Sequence, residues 1–406
     1  MTTRPPSDDR LEPTANGAQR ASFLELFFDL VFVFAFTRIS ARAFDDLALE
    51  PGGTTGWHPV TGGAKTLLLL LALWAVWQGT AWTIGRYDPY HLWLQTLVIT
   101  SLVCAMVMGV AIPHAFTNHG STFAAAYVVA QVSRPLILLV ASHRYELRQL
   151  KVRMLVVHGV AAVPWLVGSV MPTTPRVMLW TLALAIEFGA ARTGWPVPGL
   201  GRSRLHRWRP AGEHLAERYQ QFFLIAVGET ILISGLAYSA RSFTPARTAA
   251  FGLALLTSVL LWRIYFHRAG RILAEAVAVA ARPAAIARSA ADTHLVMVTG
   301  VVATAIGYEL AVEHPLERPE AAWIAMILGG PLVFLAGRSR FEYEVFGRVS
   351  RSRWIAMAAL IAPAWVFLHH PLLFSAGTAA AILLAVAVAD ARRAYRRPPE
   401  AAAPPF

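Results

Sequence analysis

The sequence predicts an all-α protein, a polytopic transmembrane helical bundle of about twelve spans. Three observations predict it. Of 406 residues, 56% are hydrophobic and only 15% are charged, where a soluble chain carries about 25% charged residues. The apolar residues fall in continuous blocks of about 18–24, enough to cross a hydrocarbon core of about 30 Å, and not in the alternation of a membrane barrel. With the N-terminus placed in the cytoplasm, 28 of the 36 Lys and Arg residues fall on the cytoplasmic side and 7 on the other, Arg134 lying inside a span. Such segregation is the positive-inside bias of helical membrane proteins.

Taken in order, residues 1–20 are rich in Pro, Asp and Arg and read as a disordered tail. Spans follow near 24–43, 64–85, 91–113, 121–143, 153–171 and 174–192, which make a first half over 21–192. The Pro-, Gly- and Arg-rich stretch 193–216 reads as a cytoplasmic linker. A second half over 217–393 holds spans near 217–238, 247–268, 291–312, 321–338, 353–369 and 372–391, and 394–406 reads as a second disordered tail. Two halves of six spans enter the membrane in the same sense, so a duplication would be a parallel repeat. Three features suggest one. Each half opens on an acid-bearing, Phe-rich span, each second span ends in aromatics, and each third span has a small-residue run near Gly109 or Gly307. The even span count puts both termini in the cytoplasm, and the expected location is the bacterial inner membrane.

The net charge of +12 sits in loops beside spans, where it sets topology and meets anionic lipid. Nucleic acid is therefore not an expected partner; the lipid bilayer and an ion or small-molecule substrate are. Oligomeric state is not legible. Cys104, the lone cysteine, lies in an apolar run, so neither a disulfide framework nor a Cys metal site is expected. The polar N-terminal stretch has no apolar core of the kind a cleaved signal peptide carries.

Ionisable residues inside spans are the functional candidates, because a carboxylate at the bilayer centre costs about 2.5–3.5 kcal/mol on the lenient scale. Glu25 and Asp29, four residues apart, share a face of the first span. Each can be an N-terminal acid favoured by the helix dipole, or a buried carboxylate holding a cation or proton; the phenylalanines around Asp29 favour the second reading there. Glu229 lies about 18 Å into its span at 1.5 Å per residue. It follows Gly228, which permits a close helix approach or a break. Arg134, ahead of Pro135, is the basic residue deep in a span and a candidate ion-pair partner for it. Glu187 and Glu309 complete the intramembrane acids. His294 opens the ninth span, and His214, Glu217 and Arg218 share a helical side by their spacing. A histidine among acids titrates near neutral pH, although an interfacial histidine is more often simply hydrogen-bonded. The pair His369–His370 lacks a third ligand nearby, so no metal site is expected. No cofactor is implied: there is no Walker A, no dinucleotide-binding glycine motif and no H-E-x-x-H.

The stretch ELFFDLVFVFAFT from Glu25 to Thr37, His214-x-x-Glu217-Arg218-Tyr219, and Gly228-Glu229-Thr230 resemble the bacterial low temperature requirement A (LtrA) family. So do the Trp-rich second span, His294 with Gly307 and Glu309, and GGPLVFLAG at 329–337, and the resemblance spans 21–393. His267 stands where the family often has an acid. The resemblance implies a multi-pass membrane protein linked by name to growth in the cold. The first span is also similar to the first helix of a six-span potassium-channel family with a Phe-Ser-Asp signature, with Phe28, Leu30 and Phe23 departing from it.

Three readings follow. An ion or small-solute transporter or channel would use Asp29, Glu229, Arg134 and Glu187. A structural or regulatory membrane protein would keep these charges paired. A membrane-embedded enzyme acting on a lipid or isoprenoid would use the acids as general acid or base.

Overall fold

The computed structural model describes residues 21–48, 58–88, 90–141, 145–203, 212–267, 269–396, 398 and 400–405. The described residues are helical, apart from connections and one isolated antiparallel bridge between Val197 and Gly201. The helices are α1 (Phe23–Ala48), α2 (His58–Ile84), α3 (Leu92–Ala111), α4 (Gly120–Ala141), α5 (Tyr145–Ser169), α6 (Thr173–Thr193), α7 (Gly212–Ser239) and α8 (Pro245–Phe266). They continue with α9 (Ala269–Val279), α10 (Pro283–Glu313), α11 (Ala321–Phe346), α12 (Arg351–Ile361), α13 (Ala364–Phe367) and α14 (Leu372–Ala394). The N-terminal tail lies outside the described residues, as do 204–211 of the linker.

Among the described residues, nine helices are long and apolar enough to cross a membrane: α2 to α5, α7, α8, α10, α11 and α14. The expected spans near 24–43 and 174–192 correspond to α1 and α6. The stretch expected as one span at 353–369 is broken. The helix α12 ends at Ile361, and the four-residue α13 restarts after Pro363, which has no N–H to continue the ladder. The stretch expected as a connection before 291 is largely helical, because α9 occupies part of it and α10 already begins at Pro283, with proline at its favoured first position.

The chain divides into two compact units, one of residues 1–35 and 68–218, the other of 36–67 and 219–406. In the first unit successive helices are neighbours, α3 on α4, α4 on α5 and α5 on α6. Their core is aromatic. The Trp165 ring lies 4.9 Å from that of Trp180 and 4.4 Å from that of Tyr127, and Trp180 Nε1 donates to the Trp165 carbonyl at 3.0 Å. Pro135 and Pro164 sit inside α4 and α5, as membrane helices tolerate.

In the second unit α10 and α11 form the most extensive helix pair, joined by an antiparallel seam of glycines. A Cβ added at Gly307 would lie 2.8 Å from Ile327 Cα, at Gly330 2.5 Å from the Thr304 amide nitrogen, and at Gly337 2.7 Å from Met297 Cγ. One at Gly300 would run into the Phe334 amide. All four contacts keep a single register. Small residues let membrane helices approach backbone to backbone, where dispersion replaces the absent hydrophobic drive. GGPLVFLAG and Gly307 are thus packing elements.

Candidate functional site

The candidate ionisable residues of the first unit fall in two hydrogen-bonded networks. In the first, Ser22 and Glu25 make a capping box at the start of α1. The Glu25 N–H reaches Ser22 Oγ at 3.4 Å, and Glu25 Oε1 accepts from the Ser22 N–H at 3.0 Å and from its hydroxyl at 2.9 Å. This reciprocal pair satisfies two of the orphan donors of a helix start. The other oxygen, Oε2, sits 2.8 Å from His214 Nε2 and 3.3 Å from Arg218 Nε. One turn on, Asp29 takes two guanidinium bonds from Arg218, Nη1 to Oδ2 at 2.9 Å and Nη2 to Oδ1 at 2.6 Å, and Oδ1 accepts from Trp77 Nε1 at 2.9 Å. The Arg218 guanidinium also stands 5.8 Å from the Trp77 ring centroid. Glu217 Oε2 accepts from the Ala21 N–H at 3.0 Å. Glu25, Asp29, His214 and Arg218 are all buried. The planar guanidinium fork serves two carboxylates at once, as an ammonium does not.

The second network is a chain of hydrogen bonds across α4, α5 and α6. His158 Nδ1 lies 2.8 Å from Glu187 Oε1, the Tyr127 hydroxyl donates to Glu187 Oε2, and Gln131 Nε2 donates to the Tyr127 oxygen at 2.9 Å. Arg134 Nη2 donates to Gln131 Oε1 at 2.8 Å. Its guanidinium lies against Gly79 of α2, where a Cβ would overlap it. All five side chains are buried.

His294, in the second unit, is fully engaged. Its Nδ1 lies 2.6 Å from the Ala290 carbonyl, which can only accept, so that nitrogen carries a proton. Its Nε2 meets the Tyr265 hydroxyl at 2.9 Å, and the Tyr219 ring stacks on it at 4.5 Å.

Glu229 differs. It is completely buried, about 25 Å along α7 at 1.5 Å per residue. Thr37 Oγ1 donates to its Oε2 at 2.9 Å, while among the described residues Oε1 has no hydrogen-bond partner. No basic side chain among them pairs with it. Gly228 provides neither the expected close approach nor a break, since α7 is continuous and a Cβ there would meet nothing within 4 Å. Glu309 is close enough to feel the charges of Glu229, Glu313 and Asp45, and its buried Oε2 also lacks a partner among the described residues. Glu309 and Glu313 share a face of α10 by their four-residue spacing. Glu313 stands at the end of that helix, 2.9 Å from Nε of the exposed Arg241. Among the described residues no three His, Cys, Asp or Glu side chains converge as a metal site requires.

A family model described as the bacterial low temperature requirement A protein (LtrA) matches residues 20–388. The chain belongs to this family. It is also 34% identical over 321 residues to an uncharacterized protein of Rhizobium meliloti (strain 1021), covering 78% of this chain and 76% of the relative. No solved structure matches at a significant level. The resemblance carried by Glu25 to Thr37 and by His214 to Tyr219 therefore rests on residues this LtrA chain joins through Arg218 and His214.

Tyr127, Gln131, His158 and Trp77 were missed in the sequence. The first two had a signal: with Arg134 they stand at intervals of four and three, a polar stripe on one face of an apolar span. Trp77 carries no such signal, because a Trp-rich span end is equally what an interfacial belt of aromatics looks like.

Proposed function

We propose that this LtrA-family chain is an ion or small-solute transporter or channel of the bacterial inner membrane, with both termini cytoplasmic, that uses Glu229 and Glu309 to carry or couple protons. One observation supports it above the rest: Glu229, wholly buried in an apolar helix, has one carboxylate oxygen without a partner and no pairing cation among the described residues. An isolated buried carboxylate is too costly to stand bare and needs a proton or a bound cation. Glu309, on one face of α10 with Glu313, also has a buried carboxylate oxygen without a partner among the described residues. Among the described residues no three of these acids converge as a metal site requires, so a proton suits them better than a metal ion.

The test is reconstitution in liposomes holding a pH-sensitive dye, with proton, potassium and sodium gradients imposed in turn. Proton movement should exceed that of empty vesicles, Glu229→Gln should abolish it, and Glu309→Gln should slow it. Flux that matches empty vesicles for every gradient overturns the proposal.

A second reading, a structural or regulatory membrane protein, is favoured by the first unit. Its candidates Glu25, Asp29, Arg134 and Glu187 are all hydrogen-bonded to other side chains. Under that reading Glu229→Gln changes assembly and leaves vesicle permeability as it was.

A further inference from the structure

At one end of the second unit lies a small basic cavity of about 30 Å³ that neither the transport reading nor the family assigns. It is walled by the end of α11, the start of α12, the end of α14 and the C-terminal tail. Two arginines face it from complete burial, and each has a guanidinium N–H left over. Arg338 donates Nε to the Ile264 carbonyl at 3.1 Å and Nη2 to the His267 carbonyl at 3.0 Å. Among the described residues its Nη1 has no partner. Arg353 donates Nη2 to Asp390 Oδ2 at 2.5 Å, its Nε stands 3.6 Å from Glu342 Oε2, and its Nη1 likewise lacks a partner among the described residues. A buried charged donor without an acceptor costs more than a typical hydrogen bond gains, and two such donors belong to side chains that line this one cavity, beside a Glu342 Oε2 that also has no hydrogen bond among the described residues.

The tail supplies part of the answer. Glu400 reaches back to Arg348 at the rim, and the segment is docked by the Ala403 N–H on the Val345 carbonyl at 2.8 Å and the Ala402 N–H on Glu275 Oε1 at 3.3 Å. Four arginines (Arg338, Arg348, Arg353 and Arg393) thus face three carboxylates, one of which is carried by the tail and is 30% exposed. With the tail seated the space holds a water or two, too little for a tetrahedral anion. Without Glu400 the charge balance of the lining would shift toward the arginines.

We propose that this cavity is a site for a phosphate-type oxyanion, and that the C-terminal tail covers it with Glu400 holding the anion's place. A phosphate offers acceptors on several sides and matches the guanidinium fork, which a single carboxylate satisfies only in part. The chemistry is the same for free phosphate and for a phospholipid headgroup.

The full chain in neutral detergent is titrated with inorganic phosphate by calorimetry. In parallel it is offered phosphatidylcholine vesicles with and without phosphatidic acid. Wild type should bind one of the two probes, and Glu400→Gln should bind it about tenfold tighter, the low end for one charge-assisted hydrogen bond. A chain ending at Arg396 should behave like Glu400→Gln, and Arg338→Gln, where it melts as wild type, should lose binding. Response to phosphate assigns a soluble anion; response to phosphatidic acid alone assigns a headgroup. No binding of either probe by wild type and Glu400→Gln, or equal affinities in the two, overturns the proposal. The flux assay reads separately, so the two proposals fail independently.

Discussion

Arg218 holds Asp29 with both terminal guanidinium nitrogens, at 2.9 and 2.6 Å, while its Nε stands 3.3 Å from Glu25. One buried cation thereby serves two buried acids of α1. Removing it leaves two carboxylates in a dry site, a loss of about 3–5 kcal/mol for a buried pair. Arg218→Gln should therefore lower the melting temperature sharply or abolish a monodisperse product. Arg218→Lys should recover little, because a single ammonium lacks the fork. A lysine variant as stable as wild type counts against the bidentate geometry.

Glu229 should answer differently. It has one hydrogen bond, from Thr37, and no pairing cation among the described residues. Glu229→Gln removes a carboxylate whose burial is uncompensated, so melting should stay within about 1 kcal/mol of wild type or rise. The same change at Glu187 weakens acceptors for both Tyr127 and His158 and should cost about 1–3 kcal/mol. Parallel melts of the two variants decide this; equal losses contradict the contrast between them.

The Tyr127 hydroxyl is the middle of its chain, donating to Glu187 and accepting from Gln131. Tyr127→Phe strands a donor on one side and an acceptor on the other, at about 1–3 kcal/mol. Combined with Gln131→Leu, which also takes the acceptor from Arg134, the loss should fall short of the sum of the two single losses, since contacting residues in one network are not additive. A double-mutant cycle with no coupling energy would show that the chain does not act as a unit.

Two adjacent glycines in α11 give a sharper comparison. A Cβ at Gly330 would lie 2.5 Å from the Thr304 amide nitrogen, whereas one at Gly329 meets nothing within 4 Å. Gly330→Ala should destabilise by about 1–3 kcal/mol through overpacking. Gly329→Ala should be neutral or stabilising by about 0.5–1 kcal/mol, because alanine restricts the unfolded chain. Yields and melts of the two single variants read this directly.

How much of this was legible varied with range. The helical membrane architecture was, because hydrophobic length and loop charge are local quantities. Asp29 and Arg218 were both singled out, but their partnership was not: it joins positions 189 residues apart, and no local period reports that. The stretch 353–369 reads as one span because its composition is apolar throughout, although Pro363 carries the signal to divide it. Arg338 and Arg353 read as loop charges that set topology. Their burial depends on α11 continuing to Phe346 and on the docked tail, neither of which hydropathy detects.

The distance in sequence between Asp29 and its cation has a bearing on biogenesis. At about 5–20 residues per second, the ribosome needs roughly 10–40 s to reach Arg218 after Asp29 has emerged. Through that interval α1 holds two acids with nothing to neutralise them, and it cannot settle into hydrocarbon on its own. The helix α1 is therefore fixed in place later than its position in the chain would suggest. A nascent chain stalled before residue 214 would expose the defect to whatever surveys unassembled membrane segments.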